Sequence, residues 1–184
     1  MRASPRPPTK PDRAAVRVRG QQLHEHAKDD TGDVLRFASI DPDSVRALLA
    51  RYGLTLEQVA VGAPIPGSYW GDTEAGVIGH TVHVRADTPV HSLLHEACHL
   101  IVAPAEKRAT IHTDASDSQA EEDATCYLQI VLGDALPGVG SARIADDMDR
   151  WGYTFRLGSA RAWFEHDAED ARAWLIERGL LADR

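Results

Sequence analysis

His95-Glu96-Ala97-Cys98-His99 sets two imidazoles four residues apart with a carboxylate beside the first. On a helix of about 100° per residue, positions 95 and 99 lie about 40° apart, one turn above each other. Both rings can then reach one metal ion. Glu96 falls beside that ion rather than on it. This suits a carboxylate that takes a proton from a metal-bound water. Zinc lowers the pKa of such a water toward about 7, so a nearby Glu can act as general base at neutral pH. The competing reading is a core helix with two hydrogen-bonded histidines. Nine histidines in the chain also make a chance H-E-x-x-H conceivable.

The flanks favour a buried helix. Residues 92–102 form an apolar run around the motif. Thr88-Pro89 reads as a helix start, with Thr88 as N-cap and Pro89 at the first helical position. Ala103-Pro104 reads as the stop. Two histidines and a Glu carried into a core need partners, and a metal supplies them.

A zinc enzyme uses three protein ligands and a water. The third ligand is sought in residues 119–133, where Ala124, Tyr127, Leu128 and Val131 form an apolar stripe at helical spacing and Gly133 supplies a stop. Glu121 borders that stripe, one turn before Ala124 and Thr125. Glu122 shares its side with Cys126 and Ile130. Either can point at the metal. Ser118-Gln119-Ala120-Glu121 also reads as a capping box, which would occupy Glu121 and leave the metal to Glu122. Asp123 reads as a solvated helix charge.

H-E-x-x-H followed about twenty residues later by a helix-borne Glu resembles the gluzincin metallopeptidases, thermolysin and the M1 aminopeptidases among them. The resemblance runs from the strand before the first helix through Leu132, and the compact size resembles minimal gluzincins. The wording H-E-A-C-H with E-E-D-A-T-C-Y-L also resembles a bacterial family whose membership implies no activity by itself. In gluzincins the ligand Glu is followed by a small residue three positions on and a polar one four on. Glu121, with Ala124 and Thr125, matches that arrangement; Glu122, with Thr125 and Cys126, matches it less well. The resemblance therefore implies one zinc ion per chain held by His95, His99 and Glu121, with Glu122 as the alternative third ligand and Glu96 as the catalytic base. Thr125 departs from the Asp found there in several gluzincins, leaving the support of the histidines open. Asp114 and Asp117 are candidates for it, or ordinary loop and cap residues.

The expected fold class is α+β: a small zincin-like domain with a short sheet, an edge strand, the H-E-x-x-H helix, a ligand helix and a helical C-terminal extension. Residues 79–85 alternate and are β-branched, so they read as a strand. In zincins the strand before the metal helix borders the cleft, and extended substrate can pair with its edge. His80 and His83 lie on opposite faces of it and read as half-exposed strand residues. Residues 64–71 read as a loop entering a short strand. Asp41 to Gly53 carries a helix start and stop in order. Residues 141–150 read as a short helix with an acidic face, and 151–158 as an aromatic linker. Ser159 caps a further helix, in which Ala160-Arg161-Ala162-Trp163-Phe164 recurs as Ala171-Arg172-Ala173-Trp174-Leu175. These read as a helical pair, or one bent helix, packing its tryptophans on the core.

Composition sets the remaining bounds. A chain of 184 residues, 43% hydrophobic, has enough apolar surface for one domain with a real core. Residues 1–20 hold five arginines and one lysine against one aspartate, a net +5, whereas the whole chain carries −8. The boundaries that follow are a basic N-terminal arm over 1–30, a metal-binding domain over 31–140 and the helical extension over 141–184. The arm reads as disordered, with its partner unknown. The acidic body argues against a nucleic-acid surface. No apolar run of 18 residues and no signal-peptide pattern is visible, so the expected place is the cytoplasm, with no membrane partner. Cys98 and Cys126 then read as reduced, small buried hydrophobes.

The expected function is a zinc-dependent metallopeptidase acting on a peptide or protein substrate. Its water is deprotonated by Glu96. A second oxyanion donor is sought among His112, Tyr127, Tyr153 and Arg156. The rival is a non-catalytic zinc-containing regulatory or binding module, in which the same ligands hold two helices together. A hydrolase of some non-peptide bond is a third, weaker reading.

Overall fold

The structure is a computed structural model, and it describes residues 33–69, 72–113 and 118–183. The basic arm, Trp70 and residues 114–117, with Asp114 and Asp117, lie outside the described residues. The architecture is α+β, with seven α-helices and a three-stranded mixed sheet.

Asp41 starts α1 (Pro42–Ala50): its carboxylate accepts the Asp43 and Ser44 N–H groups, and Pro42 supplies the preset φ. Helix α1 packs on β1 (Thr55–Gln58). After a loop come β2 (Gly76–Ile78) and β3 (Thr81–Val84), joined by a turn at Gly79-His80, where Gly79 takes φ +59°. Strand β3 pairs in parallel with β1, Thr55 opposite Thr81 and Gln58 opposite Val84, and antiparallel with β2, Val77 opposite Val82. The order is β1-β3-β2. The strand before the metal helix is therefore central, not an edge, and β1 and β2 occupy the two pairing sides that an extended substrate would need. Strand β1 is short, polar and largely exposed, so nothing in Thr55-Leu56-Glu57-Gln58 advertises it. Strand β2 is bordered in turn by an Ile78–His112 bridge and by Thr113 N–H donating to the Val77 carbonyl. His83 is buried beside Glu57, Nδ1 to Oε2 3.5 Å, and His80 is exposed.

Helix α2 (Val90–Val102) carries the motif and is buried at every position except Glu96. Its start differs from the expected one. Pro89, not Thr88, is the N-cap, and the Thr88 hydroxyl accepts the Arg85 N–H instead, closing the strand-to-helix turn. The chain leaves α2 at Ala103, and Pro104 opens the short α3 (Ala105–Arg108). Helix α4 (Gln119–Gly133) is started by the Ser118 hydroxyl, which accepts the Glu121 N–H. It packs against α2, α5 (Ser141–Trp151) and α7 (Glu169–Glu177). Being surrounded, it is buried on nearly all sides rather than along one stripe. Helix α6 (Ala160–His166), capped by Ser159, and α7 form a helical pair broken at Asp167-Ala168. Trp163 is buried and Trp174 partly so. No helix among the described residues is long and apolar enough to cross a membrane.

Candidate metal centre

Helices α2 and α4 pack directly, and the motif histidines point across that contact. His95 Nε2 and His99 Nε2 are 3.0 Å apart. A carboxylate from α4 closes the triangle: Oε1 is 3.4 Å from His95 Nε2 and Oε2 is 3.6 Å from His99 Nε2. That carboxylate belongs to Glu122, not to Glu121. Glu121, about 100° away on the helix, lines a separate cleft of about 370 Å³ with Val102, Pro104, Arg108, Trp174 and Arg178. The rotation of α4 about its own axis thus turns Glu122, the alternative third ligand of the sequence reading, and not Glu121, toward the histidines. Ser118 caps the Glu121 N–H as the capping-box reading required, and Glu122 takes the facing position.

Each histidine is oriented from behind. His95 Nδ1 lies 2.7 Å from Gln129 Oε1, and Gln129 Nε2 donates to the His91 carbonyl at 3.2 Å. A Gln carbonyl only accepts, so the proton sits on Nδ1 and the Nε2 lone pair faces the triangle. His99 Nδ1 faces the Thr125 hydroxyl at 3.4 Å. Glu122, Thr125 and Gln129 recur at three- and four-residue spacing, so one face of α4 supplies both the carboxylate and the supports. Gln129 was not singled out in the sequence; its signal was the seven-residue step from Glu122.

Burial tunes the same groups. His95 and His99 are 7% exposed and Glu122 5%. Desolvation, reinforced by His95 and opposed by Glu122, pulls His99 down to about 4. Its ring is therefore neutral at pH 7, the form that binds metal. One turn before His95, the fully buried His91 is pushed down to about 3, first by desolvation. Both its nitrogens lack a hydrogen-bond partner, and its ring packs on Trp151 and Tyr153 with centroids 5.1 and 5.7 Å away.

Cys126, read above as a small buried hydrophobe on the same side of the helix as Glu122, lies beside the site. Its Sγ is 3.9 Å from Glu122 Oε1. Donor atoms of His95, Glu122 and Cys126 all fall within 4.8 Å of one another. Burial, with the charges of Glu122 and Asp123 behind it, holds the Cys126 thiol well above its usual range.

Of the four candidate oxyanion donors, Tyr153 packs against the centre. Its ring meets His95 edge-on with centroids 5.8 Å apart. Burial first, then negative charge at Cys126, Glu122, Glu74 and Glu96, raises its hydroxyl well above the usual value. Tyr127 packs on Trp163 and Phe164, Arg156 pairs with Asp167, and the exposed His112 faces Thr113. Glu96 is the one partly exposed residue of α2. Glu74 accepts a hydrogen bond from Trp151 Nε1 at 3.3 Å. Burial raises its carboxyl to about 7; the Trp151 bond opposes this and Asp72 adds to it.

Comparison with known proteins returns no matching family profile, no matching curated protein and no matching solved structure.

Proposed function

We propose that the chain is a zinc-dependent metallohydrolase of the peptidase type, with His95, His99 and Glu122 as its metal ligands and Glu96 as its base. One observation carries the reading. Ligands about 2.0–2.1 Å from a tetrahedral zinc stand about 3.3–3.4 Å from each other, and the three donor pairs here are separated by 3.0, 3.4 and 3.6 Å. Two imidazoles and a carboxylate match the ligand preferences of zinc.

Zinc held there would supply Lewis acidity and a water acidified toward neutrality. Glu96, next to His95 and partly exposed, accepts the water proton and returns it to the leaving amine. Tyr153, protonated at neutral pH and packed on His95, is our assignment for the second oxyanion donor. Strand β3, paired on both sides, cannot take an extended substrate, so substrate docking along that strand is no part of the proposal. Two free, buried thiols fit a reducing compartment, and we place the protein in the cytoplasm on that ground.

The second reading, a zinc-held module that cleaves nothing, draws on the low exposure of the donors. Replacing Glu96 separates the two. Glu96→Gln keeps size and removes the base. We expect zinc content and fold to persist while cleavage of a peptide library falls by about 10²–10⁴. Equal cleavage by wild type and variant contradicts the mechanism. Zinc-loaded wild type that cleaves nothing across the library selects the module.

A further inference from the structure

The three donors account for one face of the centre, and the residue on the next turn of α4 offers a fourth. We propose that Cys126 is itself a metal ligand, so that the resting centre is a closed His95–His99–Glu122–Cys126 set. The inference rests on the metal reading above and deepens it.

The argument is geometric. Cys126 follows Glu122 by four residues on a helix, so the two side chains sit one above the other. Sγ lies 3.9 Å from Glu122 Oε1, the same oxygen that faces His95 Nε2 at 3.4 Å. The three donor atoms lie within 4.8 Å of one another. A zinc site with one sulfur at about 2.3 Å and nitrogens at about 2.0–2.1 Å has sulfur-to-nitrogen edges of about 3.5–3.6 Å. Bringing Sγ from 3.9 Å to such an edge with Glu122 Oε1, and from no more than 4.8 Å to one with His95, takes a side-chain adjustment of about 1.3 Å or less, within the reach of one rotamer change. All four residues are buried: Cys126 is 6% exposed, in line with its neighbours.

The chemistry has consequences for which metal binds and how the site rests. The thiol releases its proton to solvent as the sulfur–metal bond forms. A thiolate added to two imidazoles and a carboxylate selects zinc or cobalt over the hard cations magnesium and calcium. Four protein ligands also fill the position that a hydrolytic water needs, so Cys126 must withdraw before water can enter.

Cobalt(II) reports this directly, because a thiolate bound to it gives a sulfur-to-metal charge-transfer band in the near ultraviolet. The full chain would be loaded with cobalt as wild type, Cys98→Ser and Cys126→Ser, with far-ultraviolet circular dichroism to check each fold. We expect the band in wild type and in Cys98→Ser. Cys126→Ser should bind cobalt without it and bind zinc about tenfold or more weakly. The chain has two cysteines, so the first two proteins alone assign the sulfur even if Cys126→Ser does not fold. Cobalt bound by wild type without the band overturns the inference and leaves the three-ligand reading standing. No cobalt or zinc bound by wild type overturns both.

Discussion

Two buried carboxylates in this molecule are handled in opposite ways. Asp147 on α5 is fully buried and surrounded by donors. Its Oδ2 accepts the Leu35 N–H at 2.8 Å, and its Oδ1 accepts Arg143 Nε at 2.8 Å and Arg150 Nη1 at 3.4 Å. Glu122 on α4 is almost as buried, but among its contacts are two imidazoles and a thiol. Around Asp147 the Leu35 N–H and the Arg143 and Arg150 guanidinium groups give protons to a negative charge. Around Glu122 two imidazole Nε2 atoms stand 3.4 and 3.6 Å from its oxygens, and the Cys126 thiol donates to Oε1 over 3.9 Å. Burying a carboxylate costs several kcal/mol unless cations or donors compensate. Asp147 is compensated by the protein. Glu122 sits where an added cation would do the same, and that contrast separates a structural clamp from a binding site.

The largest expected effect lies on the clamp. Asp147→Ala leaves Arg143 and Arg150 facing each other and frees the Leu35 N–H. The Leu35 N–H left without its acceptor costs about 1–3 kcal/mol, with less from the arginines, whose side chains are 36% and 44% exposed. We expect urea unfolding to show that loss equally with zinc and with a chelator present. A loss that appears only with zinc would mean the two carboxylates are not separate in function.

A smaller effect sharpens the metal side. Gln129 holds the His95 tautomer through a bond of 2.7 Å. Gln129→Ala should weaken zinc binding about 10–100-fold while unfolding of the zinc-free protein changes less. Calorimetric titration with zinc checks it. Unchanged affinity would show that the ring is oriented by packing alone.

The smallest effect concerns Glu74, whose carboxyl is raised to about 7. Its folded value lies above the ordinary value of 4.5, so the folded state favours the protonated form. That stability is fully present below about 4.5 and is lost as pH rises through about 7. Glu74→Gln removes the titration. The variant should match wild type near pH 4.5 and exceed it by about 1–2 kcal/mol at pH 8, where wild type carries a buried charge. Thermal unfolding across that range checks the sign; a difference independent of pH would contradict it.

Sequence spacing carried some of this and not the rest, for physical reasons. The α2 helix was legible because its period, its apolar flanks and its stop at Ala103-Pro104 agree. Which glutamate faces the histidines was not. An amphipathic helix reveals its orientation by its apolar stripe, but α4 is packed by α2, α5 and α7, and almost every residue from Glu122 to Gly133 is buried. Glu121 and Glu122 then differ only by a rotation of about 100° that packing decides. Motif spacing chose Glu121, and the structure puts Glu122 against the histidines. The central position of β3 was hidden because its parallel partner β1 is remote in sequence and exposed in composition. Thr88 looked like a cap because Thr-Pro is a common helix entry, but its hydroxyl accepts the N–H of Arg85, three residues back.

The central claim is that Glu122, with His95 and His99, holds zinc. The most direct test is the gain in melting temperature on adding zinc to chelator-treated wild type, Glu122→Gln and Glu121→Gln. A ligand at about 100 times its dissociation constant stabilises by about 2.7 kcal/mol. The account predicts a clear upward shift for wild type and for Glu121→Gln, and a much smaller one for Glu122→Gln. A Glu122→Gln protein that gains as much as wild type, or a Glu121→Gln protein that gains nothing, would contradict it.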